Sequence, residues 1–291
     1  MSRTGEVPLG RRVPSWAAGL LALLAQDRPV ILTVDDIAGY LATVDDRRAP
    51  EQAIEALREL HWLTSTAIQG TWAFHPPGET DLADPYLELR AWKAKDPDAR
   101  WALAGEACAL HLGYLDRRFD GPVSVWLPEQ QRPPKGLRGH VSIIRIGWGP
   151  NVELGPSRQT LARKRLDRLQ WATGLPALGP EALLVQLAVR PSSFRPWADL
   201  AAHIQDLAGD CEPQRVVELV NRQSASAWQR AAYLLHAGDN NDAAAAVAGA
   251  QPTDQRRTHA RLGEGDSGTF DSTYGVTDNL LAPLLATVGK A

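Results

Sequence analysis

Apolar residues at the start of the chain recur with a period that changes every ten positions or so. Trp16, Leu20, Leu21 and Leu24 follow Pro14-Ser15 at helical spacing, which predicts a helix to about Ala25 with Ser15 as its N-cap. Val30-Ile31-Leu32, after Pro29, is a short β-prone run. Thr33 with Asp36 three positions on has the form of a capping box, opening a second helix that turns Ile37 and Leu41 inward. A polar turn from Thr43 to Ala49 leads to Pro50 at the first position of a third helix, where Ile54, Leu57 and Leu60 recur. Trp62 to Ser65 and Thr71 to His75, separated by a turn ending in Gly70, read as a hairpin with Trp62 opposite Trp72. Helix, strand, helix, turn, helix and hairpin in this order predict a winged helix-turn-helix.

The pattern then loosens. Residues 76–97 are rich in Pro, Gly and Asp, with a short helical run from Tyr86 to Lys93. The expected division is a winged helix over 1–80, a linker over 81–96 and a larger domain over 97–291. In that domain Ala102 to Gly113 reads as a small-residue helix, with Gly105 for close packing and Gly113 as its stop. Val123 to Leu127 and Val141 to Ile146 read as strands. Pro180 opens a buried helix to Val189, followed by helices near Pro196–Leu207, Pro213–Val220 and Ala225–His236. The fold class is α+β, a winged helix joined to a mixed α/β domain.

A winged helix reads DNA by placing its third helix in the major groove and its hairpin on the backbone. Arg47 and Arg48 stand at the mouth of that helix, with Gln52 and Glu55 on its polar face. These residue types pair with guanine, adenine and cytosine edges. Arg58, Thr66 and Gln69, with His61 and Thr64, are candidates for phosphate contact. Charge complicates this reading. Residues 1–80 hold seven bases against ten acids, a poor footprint for a DNA reader. Winged helices also serve as protein-contact modules, and that alternative stays open. Residues 132–171 hold nine bases against two acids. Within them Arg158, Arg163, Lys164, Arg165 and Arg168 form a possible second basic patch, for DNA, a protein or tRNA, or only a solvated helix face.

Two segments carry a resemblance to a known family: "ALAGEACALHLGYLDRRFDGPVSVWLP" from Ala102, and "LPALGPEALLVQLAVRPSSFRPWADLAAHI" from Leu175. With the winged helix, they resemble the AbiEi antitoxins of bacterial abortive-infection toxin–antitoxin systems. The Arg-rich, Lys-poor chain is similar to the mycobacterial members. "RLGEGDSGTFDSTYGVTDNLL" resembles them more weakly. The resemblance implies a repressor that binds double-stranded DNA, an inverted repeat upstream of its own operon. It also implies an antitoxin that counteracts a nucleotidyltransferase toxin without a stable complex, with residues 97–291 needed for antitoxicity. A monomer in solution is expected.

Enzyme signatures are missing from the sequence. Seven histidines show no HxxxH spacing, and there is no phosphate loop, GxGxxG after a strand or GxSxG elbow. Glu264, Asp266 and Asp271 read as a polar loop rather than metal carboxylates, so no cofactor and no metal are expected. Cys108 and Cys211 form no CxxC pair, which suits a reducing compartment, and Cys108 reads as a small buried hydrophobe. Of the ten tryptophans, most are read as core or interface anchors. Trp16 to Ala25, behind Arg11 and Arg12, looks superficially like a secretory signal. It is too short to span a bilayer and runs straight into the first folded module. The expectation is a soluble, cytoplasmic protein with no membrane contact and no catalytic residue.

Overall fold

A computed structural model describes residues 11–79, 84–118, 120–149, 152–163, 174–255, 259–265 and 267–288. The chain divides into two compact units: residues 1–99 with 133–140, and residues 100–132 with 141–291.

In the first unit, a 3-10 turn (Ser15–Ala17) leads into α1 (Ala18–Asp27). The Ser15 side chain does not cap it. The turn is closed by the backbone, Ala17 N–H donating to Pro14 O at 3.0 Å. β1 (Ile31–Thr33) comes next, then α2 (Val34–Thr43), which opens on the expected capping box: Thr33 Oγ accepts from Asp36 N–H and the Asp36 carboxylate accepts from Thr33 N–H. α3 (Pro50–Glu59) starts at its proline and buries Ala53, Ile54 and Leu57. β2 (Leu63–Ser65) and β3 (Thr71–Phe74) complete an antiparallel sheet in the order β1-β3-β2. The arrangement fits a winged helix. One expectation fails in register: Trp72 lies opposite Ser65, and Trp62 lies beyond the strand, beside His75, whose N–H donates to Trp62 O at 3.0 Å. The turn sets this register, since Thr66 N–H donates to Thr71 O and their hydroxyls meet at 2.6 Å. α4 (Leu87–Lys95) packs on β1 and β3 with Leu89 and Trp92 buried, so the helical run in the Pro-rich stretch is part of this unit.

The second unit holds a sheet in the order β4 (Ala102–Leu103), β5 (Val123–Trp126), β6 (Val141–Ile144), antiparallel then parallel. The expected helix from Ala102 is shorter. Its first two residues join the sheet, Leu103 N–H donating to Pro176 O at 2.7 Å, and α5 spans Gly105–His111. Gly105 has φ +50, and a Cβ there would sit 3.2 Å from Ser124, so this corner needs glycine. α6 (Arg158–Arg163) precedes α7 (Pro180–Val189), an apolar helix buried from Pro180 to Ala188, as a central helix must be. α8 (Trp197–Ala201) follows, and α9 (Ile204–Asp210), α10 (Pro213–Val220) and α11 (Ala225–Ala237) pack around α7. The helix expected over Pro196–Leu207 is two, broken at Ala202-His203.

Beyond α11 lie elements that the apolar pattern does not predict: α12 (Asn241–Ala250), a sheet in the order β7 (Ala260–Leu262), β9 (Val276–Asp278), β8 (Thr269–Asp271), and α13 (Ala282–Val288). The buried carboxylate of Asp278 ties them in. It accepts from Tyr233 Oη of α11 at 2.7 Å and from the N–H groups of Leu280, Leu281 and Ala282 at 2.8, 2.8 and 2.7 Å.

Candidate nucleic-acid interface

The candidate surface is built on α3 and the hairpin. The apolar stripe of α3 is buried, which leaves Glu51, Gln52, Glu55, Arg58 and Glu59 exposed. Arg47 is exposed in the turn before it. Two of the expected cations are engaged by acids of the same unit. Arg48 pairs with Asp46 at 2.9 Å and lies over the Trp16 ring, 4.1 Å from its centroid. Arg58 pairs with Glu55 at 2.7 Å, one turn apart on α3. Both pairs are exposed, where such contacts hold by less than about 1 kcal/mol. Arg47 and Gln52 extend from the helix mouth with Glu51 and Glu55 as neighbours.

The hairpin turn is short and drawn inward. Ile68 is 4% exposed, and Thr71 Oγ donates to its carbonyl at 2.7 Å. Thr66 is part of this hydroxyl knot, whereas Gln69 is exposed. The Glu88 carboxylate on α4 accepts from Ala67 N–H at 2.8 Å. On its other side the turn meets residues 133–140, a strap whose flanking residues belong to the second unit. Gly136 of the strap lies against Ala67 so closely that a Cβ would fall 1.7 Å from the Ala67 carbonyl oxygen. Leu137 is fully buried, while Lys135 and Arg138 are exposed. Lys95, at the end of α4, brings its Nζ to 3.3 Å from where a Cβ on Gly70 would be. Sequence spacing does not place these three cations beside the hairpin, because they come from elements distant from it in the chain.

Elsewhere around the sheet, Arg11 donates to the carbonyls of His75, Pro76 and Glu79 and lies 5.1 Å from the Trp62 ring centroid. It clamps the outgoing strand. Tyr40 Oη donates to Asp27 at 2.9 Å, joining α2 to α1, and burial with this bond pushes its pKa up to about 12.

The mid-chain basic stretch is divided between the two units. Lys135 and Arg138 belong to the first unit. Arg145 folds onto the backbone of its own unit, donating to the carbonyls of Pro128, Glu129 and Gln131 at 2.5, 3.1 and 3.0 Å. Arg158 is exposed at the start of α6. Lys164, Arg165 and Arg168 lie outside the described residues, as does the side chain of Arg163.

The thiols and the C-terminal carboxylates have structural surroundings. Cys108 and Cys211 are buried, their thiols donating to Leu178 O and Leu207 O, and burial pushes the Cys108 thiol far up. Asp271 accepts from Thr273 and Tyr274 N–H groups and shapes a turn; Glu264 is exposed, and Asp266 lies outside the described residues. Among the described residues no three His, Cys, Asp or Glu side chains gather as a metal site. Among them, too, no helix is long and apolar enough to cross a membrane.

A family model described as the AbiEi antitoxin C-terminal domain matches residues 101–237. The crystal structure of the RV2827C protein from Mycobacterium tuberculosis is similar to the whole chain, with 45% sequence identity and a TM-score of 0.83. The match covers 97% of this chain and 98% of that one. No curated protein matches.

Proposed function

The chain belongs to the AbiEi antitoxin family, and from that premise we propose that it is a DNA-binding autorepressor whose second unit counteracts a nucleotidyltransferase toxin. A toxin–antitoxin role, with a toxin as functional partner, comes with the family itself. Repression, the toxin's chemistry and the lack of a stable complex belong to the proposal. The observation that carries the DNA reading is a third helix with its apolar stripe buried and Gln52 exposed, flanked by exposed Arg47 and a hairpin. In this reading α3 enters the major groove of an inverted repeat upstream of the operon. Arg47 and Gln52 reach base edges, and the wing lies on the phosphates. Arg48 and Glu55 join them only by leaving Asp46, Trp16 and Arg58. The exchange costs little because the pairs are exposed. Gln69 serves the backbone from the wing tip.

A second reading has one observation in its favour: Glu51, Glu55 and Glu59 all stand on the exposed face of α3, a surface suited to a basic protein partner. Fluorescence anisotropy decides between them, using the duplex upstream of the gene and a scrambled duplex at two salt concentrations. The autorepressor requires tighter, salt-sensitive binding to the native duplex, with a slope near −0.9 per phosphate contacted. Absence of binding to either duplex at low salt leaves the protein-contact reading. The antitoxin role is tested separately, by rescue of growth from the neighbouring toxin.

A further inference from the structure

We propose that the phosphate-holding charge of this interface comes from three cations that bracket the wing from outside it: Lys95 of α4, and Lys135 and Arg138 of the strap. The inference rests on the DNA-binding reading and gives that site its backbone contacts.

A wing that lies on a DNA backbone needs positive charge or free donors at its tip. This turn supplies little of either. From Thr66 to Gly70 it contains no charged residue. Its hydroxyls bind one another and the turn carbonyls, and Ile68 is tucked into the protein. The acids of α3 add repulsion beside it.

The brace around the turn reverses that balance. Lys95 places its ammonium at the backbone of Gly70, the residue that closes the turn. The strap reaches backbone contact with Ala67 at Gly136, so its two exposed cations stand on the chain one residue before and two after that contact. The fixed 3-10 turn at Lys135–Leu137 and the buried Leu137 anchor them. Of the acids on this side, Asp96 and Asp98 follow Lys95 in the chain, and Glu88 has its carboxylate engaged by Ala67 N–H and so also holds the turn in place. Three exposed cations carried on the segments that flank a wing tip match the phosphate ridge of a duplex, a polyanion with one charge per roughly 1.7 Å of axis.

The test uses the full chain and the upstream duplex. Lys135→Ala with Arg138→Ala, and then the triple variant adding Lys95→Ala, are compared with wild type by anisotropy across a four-fold range of salt. All three side chains are exposed, so folding should survive, and circular dichroism checks that it does. If each cation holds one phosphate, the double variant should lose about 1.8 from the magnitude of the salt slope. Over a four-fold salt increase, its affinity should then fall about twelve-fold less than that of wild type. The triple variant should lose about 2.7. Native and scrambled duplexes should weaken equally, because phosphates carry no sequence. Lys135→Arg with Arg138→Lys should keep the wild-type slope. Wild-type binding with an unchanged slope in the double variant overturns this inference alone. If wild type binds neither duplex, the DNA reading falls and takes this inference with it.

Discussion

At Gly136 the requirement is for space rather than for a special backbone angle, and the atom in the way belongs to a peptide carbonyl that cannot swing aside. Gly136→Ala would have to lift the strap off Ala67 or distort the wing turn. The expected cost is about 1–3 kcal/mol, typical of overpacking, read from urea unfolding of the full chain. His111 is a second residue with a measurable signature. Burial at the end of α5 lowers its pKa to about 4, against roughly 6.5 for an unfolded histidine. Between those values the unfolded chain binds the extra proton, so this contribution is complete above about pH 6.5 and is lost progressively as pH falls towards 4. Wild type should therefore lose more thermal stability between about pH 7 and pH 5 than His111→Gln does. An equal loss in both would remove His111 from the pH response.

Among the elements, those whose ends are marked chemically are legible in the sequence. α2 is fixed by the Thr33–Asp36 box, and α3, α7 and α10 each open on a proline that has no N–H to satisfy. Thr33→Ala should cost about 1 kcal/mol in equilibrium unfolding, because it takes from the Asp36 N–H its side-chain cap in the first turn of α2. A change below a few tenths would show that solvent replaces the cap. The register of Trp62 and Trp72 is not legible, because hairpin register depends on the turn. A turn knotted by the hydroxyls of Thr66 and Thr71 leaves no clear mark in the apolar pattern. α12 is hidden for a different reason. Its sequence, NDAAAAVAGA, is small on every face and has no periodic stripe. The strands of the last sheet are three residues long, too short for alternation to show. At the candidate interface, spacing locates Arg47 and Gln52 on their element. It gives no sign of the partners holding Arg48 and Arg58, nor of Lys95, Lys135 and Arg138 beside the wing.

For the molecule as a whole, the extent of the family match and the extent of the folded unit differ. The match ends at residue 237, but α11 is covered by the C-terminal sheet and its connections, through Tyr233 to Asp278 and Gln229 Nε2 to Tyr274 O at 3.1 Å. A chain ended after Ala237 leaves the Tyr233 hydroxyl and the apolar side of α11 without their cover. It should lose cooperative unfolding and expose dye-binding surface, whereas a chain ended after Val288 should keep both properties of the full protein. Cooperative melting of the shorter chain would show that the last sheet is an accessory.

The strap also has a consequence for the order of assembly on the ribosome. Synthesis proceeds from the N-terminus, so every residue of the hairpin is made long before Gly136 and Leu137 exist. Until the strap has left the exit tunnel, the nascent winged helix has one flank of its turn uncovered. It can be finished only after the first part of the second unit's sequence has been translated. A nascent chain stalled soon after residue 99 should therefore present an unfinished wing, and the full candidate surface should form only once residue 140 has emerged.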